Sequence, residues 1–145
     1  MRVGIVEVLG AEEVNNVLED EFEKEVSTLE IKRQLVPTID DSALGAKRLA
    51  EESACDFIVI GYALEENEKL SQAFQASILN AQFALKKNIF RVIVPADKEI
   101  EGYAREAAKE IVRYFYKPGE LQRERSSMTP EQQPESSFNP FAMFG

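Results

Sequence analysis

The chain has 145 residues, 44% of them hydrophobic and 30% charged, a balance that suits one globular domain with a real core. Its 17 basic and 26 acidic side chains leave a net charge of -9, which repels phosphate backbones and argues against a nucleic-acid partner. With no histidine and a lone cysteine, Cys55, the sequence excludes an internal disulfide, cysteine–histidine zinc sites and Ser-His or Cys-His catalysis.

Any acid–base chemistry must therefore use carboxylates, Lys, Tyr, Cys55, backbone groups or water. The opening MRVGIVEVLG is too short for a signal peptide and soon turns acidic. No apolar run approaches the roughly 20 residues that span a bilayer. The expected location is the cytoplasm, with no membrane role.

Val3 to Val8 is β-branched and nearly all apolar, so it reads as a buried strand, and Leu9-Gly10 breaks it. Ala11 to Glu25 places Val14, Val17, Leu18 and Phe22 on one helix face, with Glu12 and Glu13 in the first turn where the dipole favours them. Ser27 to Val36 alternates, with Leu29, Ile31 and Leu35 on one side and Glu30, Lys32 and Gln34 on the other. That period marks a strand near a sheet edge, ended by Pro37. Asp40, Asp41 and Ser42 are N-cap candidates for a helix to about Ser53, with Leu44 and Leu49 inward and Gly45, Ala46 and Ala50 allowing close packing.

Phe57 to Ile60 reads as the third strand, broken at Gly61. Lys69 to Lys87 reads as the longest helix, carrying Leu70, Phe74, Ile78 and Leu85, with Asn88 as its C-cap. Ile89 to Val94 is the fourth strand, stopped by Pro95, and Ile100 to Tyr116 the last helix. From Lys117 the composition turns to Pro, Ser and Gln without periodicity, so residues 1–117 form one α/β domain and 118–145 a tail expected to be largely disordered. Phe138, Phe141, Met143 and Phe144 leave two readings of that tail: a segment that docks on a neighbouring subunit or partner, or an unstructured end with incidental aromatics. The βαβαβαβα order points to a three-layer αβα sandwich around a four-stranded parallel sheet. So small a sheet often completes its burial by oligomerising.

Such a sheet delivers four loops to one edge: Leu9-Gly10, Val36 to Asp41, Gly61 to Lys69, and Val94 to Lys98. Ligands of parallel α/β folds bind at that edge, and the loop after Gly61 is the one expected to line a small-molecule site. Neither GxGxxG nor a P-loop is present, so a nucleotide cradle is rejected. Asp40 and Asp41 carry two readings: a base with a raised pKa, or a helix cap beside a solvated neighbour, and capping is the commoner use. Glu65, Glu66 and Glu68 read as a solvated acidic loop, or as groups that bind a cation or polarise a substrate. Tyr62 can stack on a flat heterocycle, donate a hydrogen bond, or pack. Phe74 repeats with Leu70 and Ile78, so packing is its default role. Gln75 and Ser77 can hold polar ligand groups or face water. Cys55 reads as a small buried hydrophobe.

The block IKRQLVPTIDDSALGAKRL from Ile31, its continuation through CDFIVIGYALEENEKLSQAFQAS to IFRVIVPADKE, and the later YKPGEL resemble the archaeal-type riboflavin synthases, relatives of lumazine synthase. The likeness is distributed from about Val3 to Leu121: VP followed by acidic residues, the CD-strand-G block, the A-x-x-A-S helix start and the KP turn. Lumazine synthase shares the fold, but Cys55 to Ser77 and the KP turn match riboflavin synthase better.

The resemblance implies a lumazine synthase-like fold and a homo-oligomer, a pentamer or a multiple of one, with sites between neighbouring subunits. It implies a transferase in riboflavin biosynthesis that turns two dimethyl-ribityllumazine molecules into riboflavin and a ribitylamino-pyrimidine, with no metal or organic cofactor. The substrate ring acidifies its own methyl and serves as its own electron sink, so the protein mainly orients two flat heterocycles. The residues expected to line the site are Pro37, Thr38, Ile39 and Asp40, then Gly61, Tyr62 and Ala63, with Phe74, Gln75 and Ser77. Thr38 and Gln75 would bind ribityl or ring polar atoms, Tyr62 or Phe74 would stack, and backbone near Gly61 would hold the ring edge. Asp40 and Asp41 are weak catalytic candidates, and no residue is assigned to a metal.

The chain departs from the family pattern in four places, one of them the tail, which does not match the family's glycine- and arginine-containing terminus. Where the family helix starts A-H-E-A-S, this chain has Ala73-Phe74-Gln75-Ala76-Ser77. Pro95 stands where the fourth strand tends to end in histidine, and Leu9-Gly10-Ala11 replaces a Phe-Ala-Arg-like segment. Loss of both imidazoles supports an alternative of another class: a non-catalytic paralogue serving as a ring-forming scaffold or a lumazine- or flavin-binding protein.

Overall fold

Strands β1 (Arg2–Val8), β2 (Glu30–Val36), β3 (Phe57–Ala63) and β4 (Asn88–Val94) form one parallel sheet in the order β2-β1-β3-β4. The computed structural model describes residues 1–116. The tail over residues 118–145, including Phe138, Phe141, Met143 and Phe144, lies outside the described residues.

The chain crosses the sheet one way through α1 (Glu12–Glu25) and the other way through α2 (Ser42–Glu51) and α3 (Gln72–Leu85). Right-handed crossovers then put α1 on one face and α2 and α3 on the other. The two cores follow that division, and α4 (Ile100–Tyr116) joins α1. The architecture is the three-layer αβα sandwich expected from the sequence.

The central strands β1 and β3 are apolar on both faces because helices cover both. Val3, Ile5, Phe57 and Val59 pack with Val14, Leu18 and Phe22 of α1 and Ala104, Ala107 and Ile111 of α4. Phe115 stacks on Phe57 with centroids 4.2 Å apart, and Phe22 and Phe90 meet Phe57 edge-on. On the other face Val6, Val8, Ile58 and Ile60 pack with Ala46, Leu49, Phe74 and Ile78. β2 is an edge strand, as its alternation predicts, and its rim carries the Arg2–Glu30 and Lys32–Glu30 ion pairs.

Several boundaries differ from the sequence reading, each for a physical reason. β3 does not stop at Gly61 but runs to Ala63, because Tyr62 and Ala63 continue to pair with Ile93 and Val94 of β4. Gly61 is set by close approach: a Cβ there would lie 2.2 Å from Asn15 Oδ1 and 2.9 Å from Leu18 Cδ1. A 3-10 turn, Ile39–Asp41, precedes α2 and fixes its phase, so that Ser42, Gly45, Ala46 and Leu49 face the sheet. Leu44, expected inward, is exposed, as is Leu35 on the open edge of β2. β2 begins at Glu30 rather than Ser27, since Leu29 N closes a turn on Val26 O. α3 begins at Gln72 rather than Lys69 because Ser71 caps it. Its C-cap is Lys86 in left-handed conformation, and Asn88 opens β4. Among the described residues no helix is long and apolar enough to cross a membrane.

Candidate functional site

The order β2-β1-β3-β4 reverses its direction of winding between β1 and β3. Crevices at the carboxyl ends of such neighbouring strands are where open parallel sheets bind ligands. The β1–β3 ladder ends at Glu7 and Gly61, while β3 runs on beside β4 for two residues. β1 turns away at Gly10, whose φ of 92° suits glycine, after Leu9 N donates to Val36 O at 2.9 Å. Tyr62 and Ala63 therefore stand at the edge of the crevice, opposite Leu9 and Gly10.

Asn15 anchors this point from below. It is fully buried, and its Nδ2 donates to Ala11 O at 2.9 Å and to Gly61 O at 3.4 Å. The start of α1 is thus fastened to β3 where the ladder ends. The backbone of Gly61 is engaged in this arrangement and in the sheet, so the chain open to the crevice is Tyr62 and Ala63. The helical phase of α1 carries a signal for Asn15, which falls beside Phe22 on the inward face.

The β2–α2 turn brings Pro37, Thr38, Ile39 and Asp40 to the same edge. Pro37, Thr38 and Asp40 are exposed, and Ile39 packs partly on the core beneath α2 and α3. Neither Asp40 nor Asp41 makes a side-chain cap on α2. Asp41 instead braces its own turn, its Oδ2 accepting the Thr38 hydroxyl at 2.9 Å and the Thr38 backbone N–H at 3.3 Å. Asp40 Oδ1 accepts the Ser71 hydroxyl at 3.3 Å, and Ser71 Oγ in turn accepts Phe74 N–H at 3.0 Å. One serine thus caps α3 and ties it to the turn after β2.

The loop after β3 is organised by a contact that sequence periodicity cannot reveal. The Tyr62 hydroxyl donates to Glu68 Oε2 at 2.5 Å, and Glu65 N–H donates to Glu68 Oε1 at 2.9 Å. Asn67 takes the left-handed conformation, φ 64°, that lets the loop fold back on the strand. The bond to the Glu68 carboxylate, helped by burial, pushes the Tyr62 phenol up to about 12, so at neutral pH it is a donor. The signal missing from the sequence is the pairing itself, since Glu68 lies six positions after Tyr62 across an irregular loop.

At the start of α3, Phe74 is 1% exposed and fills the core beneath the edge. Its ring does not reach the crevice, which leaves Tyr62 as the aromatic at the site. Gln75 and Ser77 are partly exposed, and the Ser77 hydroxyl donates to Phe74 O at 2.7 Å. Cys55 is fully buried and burial pushes its thiol up, as a packing residue requires. Among the described residues no three His, Cys, Asp or Glu side chains gather as metal ligands would.

No protein-family model matches the chain. It is similar to a riboflavin synthase of Methanothermobacter thermautotrophicus, 28% identical over 149 aligned residues that cover 94% of this chain and 97% of that protein. It is also similar to a riboflavin synthase of Methanothermobacter marburgensis, 26% identical over 148 aligned residues that cover 93% and 97%.

Proposed function

We propose that this chain, a divergent relative of the archaeal riboflavin synthases, converts two molecules of dimethyl-ribityllumazine into riboflavin and a ribitylamino-pyrimidine. The observation that carries this reading is the end-to-end similarity to two proteins of that name, on a fold whose strand order opens a crevice between β1 and β3. The reaction asks the protein for orientation more than for reactive groups, because the heterocycle supplies both the acidic methyl and the electron sink. A chain without histidine meets that demand.

In this reading Tyr62, held by Glu68, stacks on one heterocycle, and the backbone of Tyr62 and Ala63 meets its edge. Pro37, Thr38, Ile39 and Asp40 form the opposite wall. Thr38 and Gln75 bind ribityl hydroxyls, Ser77 steadies the first turn of α3, and Phe74 supports the site from the core.

The same reading includes a ring of like subunits. α3 has no charged residue from Gln72 to Leu85, and its Phe83 is 73% exposed. A helix whose outward side is uncharged and carries an exposed phenylalanine is suited to being covered there. Half-buried Arg91 on edge strand β4 has no carboxylate within ion-pair distance among the described residues, and burial lowers its pKa. Both features favour a second subunit against this side.

Incubating the purified chain with dimethyl-ribityllumazine and following riboflavin fluorescence tests the reaction, with formation above the protein-free rate expected. The absent imidazoles favour one competing reading, a lumazine- or flavin-binding protein without turnover. Tight lumazine binding with no riboflavin would select it.

A further inference from the structure

The geometry points to Glu68 as the proton acceptor for the ring-activated methyl of a bound lumazine, with Tyr62 as the residue that positions its carboxylate. This assignment rests on the lumazine reaction proposed above and gives that site its missing proton-transfer group.

Place is the first argument. Tyr62 lies one residue past the end of the β1–β3 ladder, at the mouth of the crevice, and Glu68 folds back onto it from the loop that follows β3.

Build is the second. Glu68 Oε2 accepts the Tyr62 hydroxyl at 2.5 Å and Oε1 accepts Glu65 N–H at 2.9 Å, so one oxygen is oriented from strand β3 and the other from the loop. A carboxylate offers about two acceptor positions on each oxygen. One position on each therefore stays open, with the carboxylate already fixed.

The chain has no histidine, and Cys55 is buried. Asp41 spends Oδ2 on two donors from Thr38, and Asp40 holds Ser71 from the exposed side of its turn. Among the described residues at this edge, Glu68 is the carboxylate with both oxygens held. Tyr62 itself stays protonated, its phenol being pushed up to about 12, so it orients the base and does not replace it.

In the step, a methyl C–H bond breaks and the proton passes to a free Glu68 oxygen. The electron pair spreads into the lumazine ring. The carbanion carbon forms a C–C bond to the second lumazine, and the four-carbon unit that is passed on leaves its pyrimidine by C–N cleavage. The carboxyl returns its proton to a nitrogen freed by that cleavage, so the residue ends unchanged, and two lumazines balance riboflavin plus the pyrimidine with no outside oxidant or reductant.

The experiment places the full chain with dimethyl-ribityllumazine in deuterated water. It follows methyl proton loss by NMR, riboflavin by fluorescence, and binding by quenching of lumazine emission. E68Q keeps the shape and one acceptor oxygen, which can still take Glu65 N–H while its amide nitrogen donates to the Tyr62 oxygen. It is expected to bind lumazine within about twofold of wild type while methyl exchange and kcat fall by about 100-fold or more, the scale of a lost general base. Y62F is expected to lower kcat about tenfold with KM nearly unchanged, and E68D to restore part of the loss that E68Q causes. Wild-type exchange in E68Q overturns the assignment alone. Wild-type protein that binds lumazine without methyl exchange also overturns it. A wild-type chain that binds no lumazine overturns the parent reading and this assignment together.

Discussion

Gly61 decides how closely α1 can approach β3. A Cβ there meets a buried amide oxygen at 2.2 Å, and the interior around Asn15 and Leu18 has no slack to absorb it. G61A is expected to lose about 1–3 kcal/mol of stability, measured as a lower denaturant midpoint. Tyr62 sets a pH dependence. Its phenol is raised from 10 in the unfolded chain to about 12 in the folded one, so folding favours the protonated form. The stability this supplies is fully present below pH 10 and is lost as pH rises toward about 12. Denaturation of wild type and Y62F across that range should show their difference shrinking as pH rises, and a constant difference would contradict the Tyr62–Glu68 bond. Thr38, Asp40, Tyr62 and Gln75 are legible in the sequence as polar or aromatic groups near strand ends and helix starts. Their partners are not, because the bonds Tyr62–Glu68 and Asp40–Ser71 join positions that no helix or strand period relates.

At the level of elements, the run of strands and helices was legible because each buried strand is a short β-branched run and each helix keeps an apolar stripe. Ends were less so. Gly61 read as a break, yet pairing with β4 carries the strand on, so a tertiary contact overrode a local signal. Leu44 read as inward, yet the 3-10 turn sets the phase of α2 and leaves it exposed. The start of α3 depends on Ser71, whose hydroxyl accepts Phe74 N–H and donates to Asp40. S71A is expected to cost about 1 kcal/mol by loss of the cap, read from the thermal or denaturant midpoint. F74A should cost far more, about 3–5 kcal/mol, since it empties a core position that is 1% exposed. If F74A were as mild as S71A, the placement of that ring in the core would be wrong.

For the whole molecule, the distributed likeness to riboflavin synthases was legible from Val3 onward, because the fold constrains many positions weakly. The chemistry is harder to read, since the chain has no histidine and the carboxylate proposed to move the proton, Glu68, lies in an irregular loop. Assembly belongs to this scale too. The uncharged outer face of α3 predicts that F83E shifts the sedimenting species toward monomer while far-ultraviolet circular dichroism stays unchanged. An unaltered mass would show that this face is not where subunits meet. Turnover belongs to this scale as well. Its most direct measurement is a chromatographic balance of purified protein with dimethyl-ribityllumazine, counting lumazine consumed against riboflavin formed. The expected result is two lumazines lost per riboflavin, with one pyrimidine released, at a rate proportional to protein. Riboflavin formation no faster than without protein would contradict it.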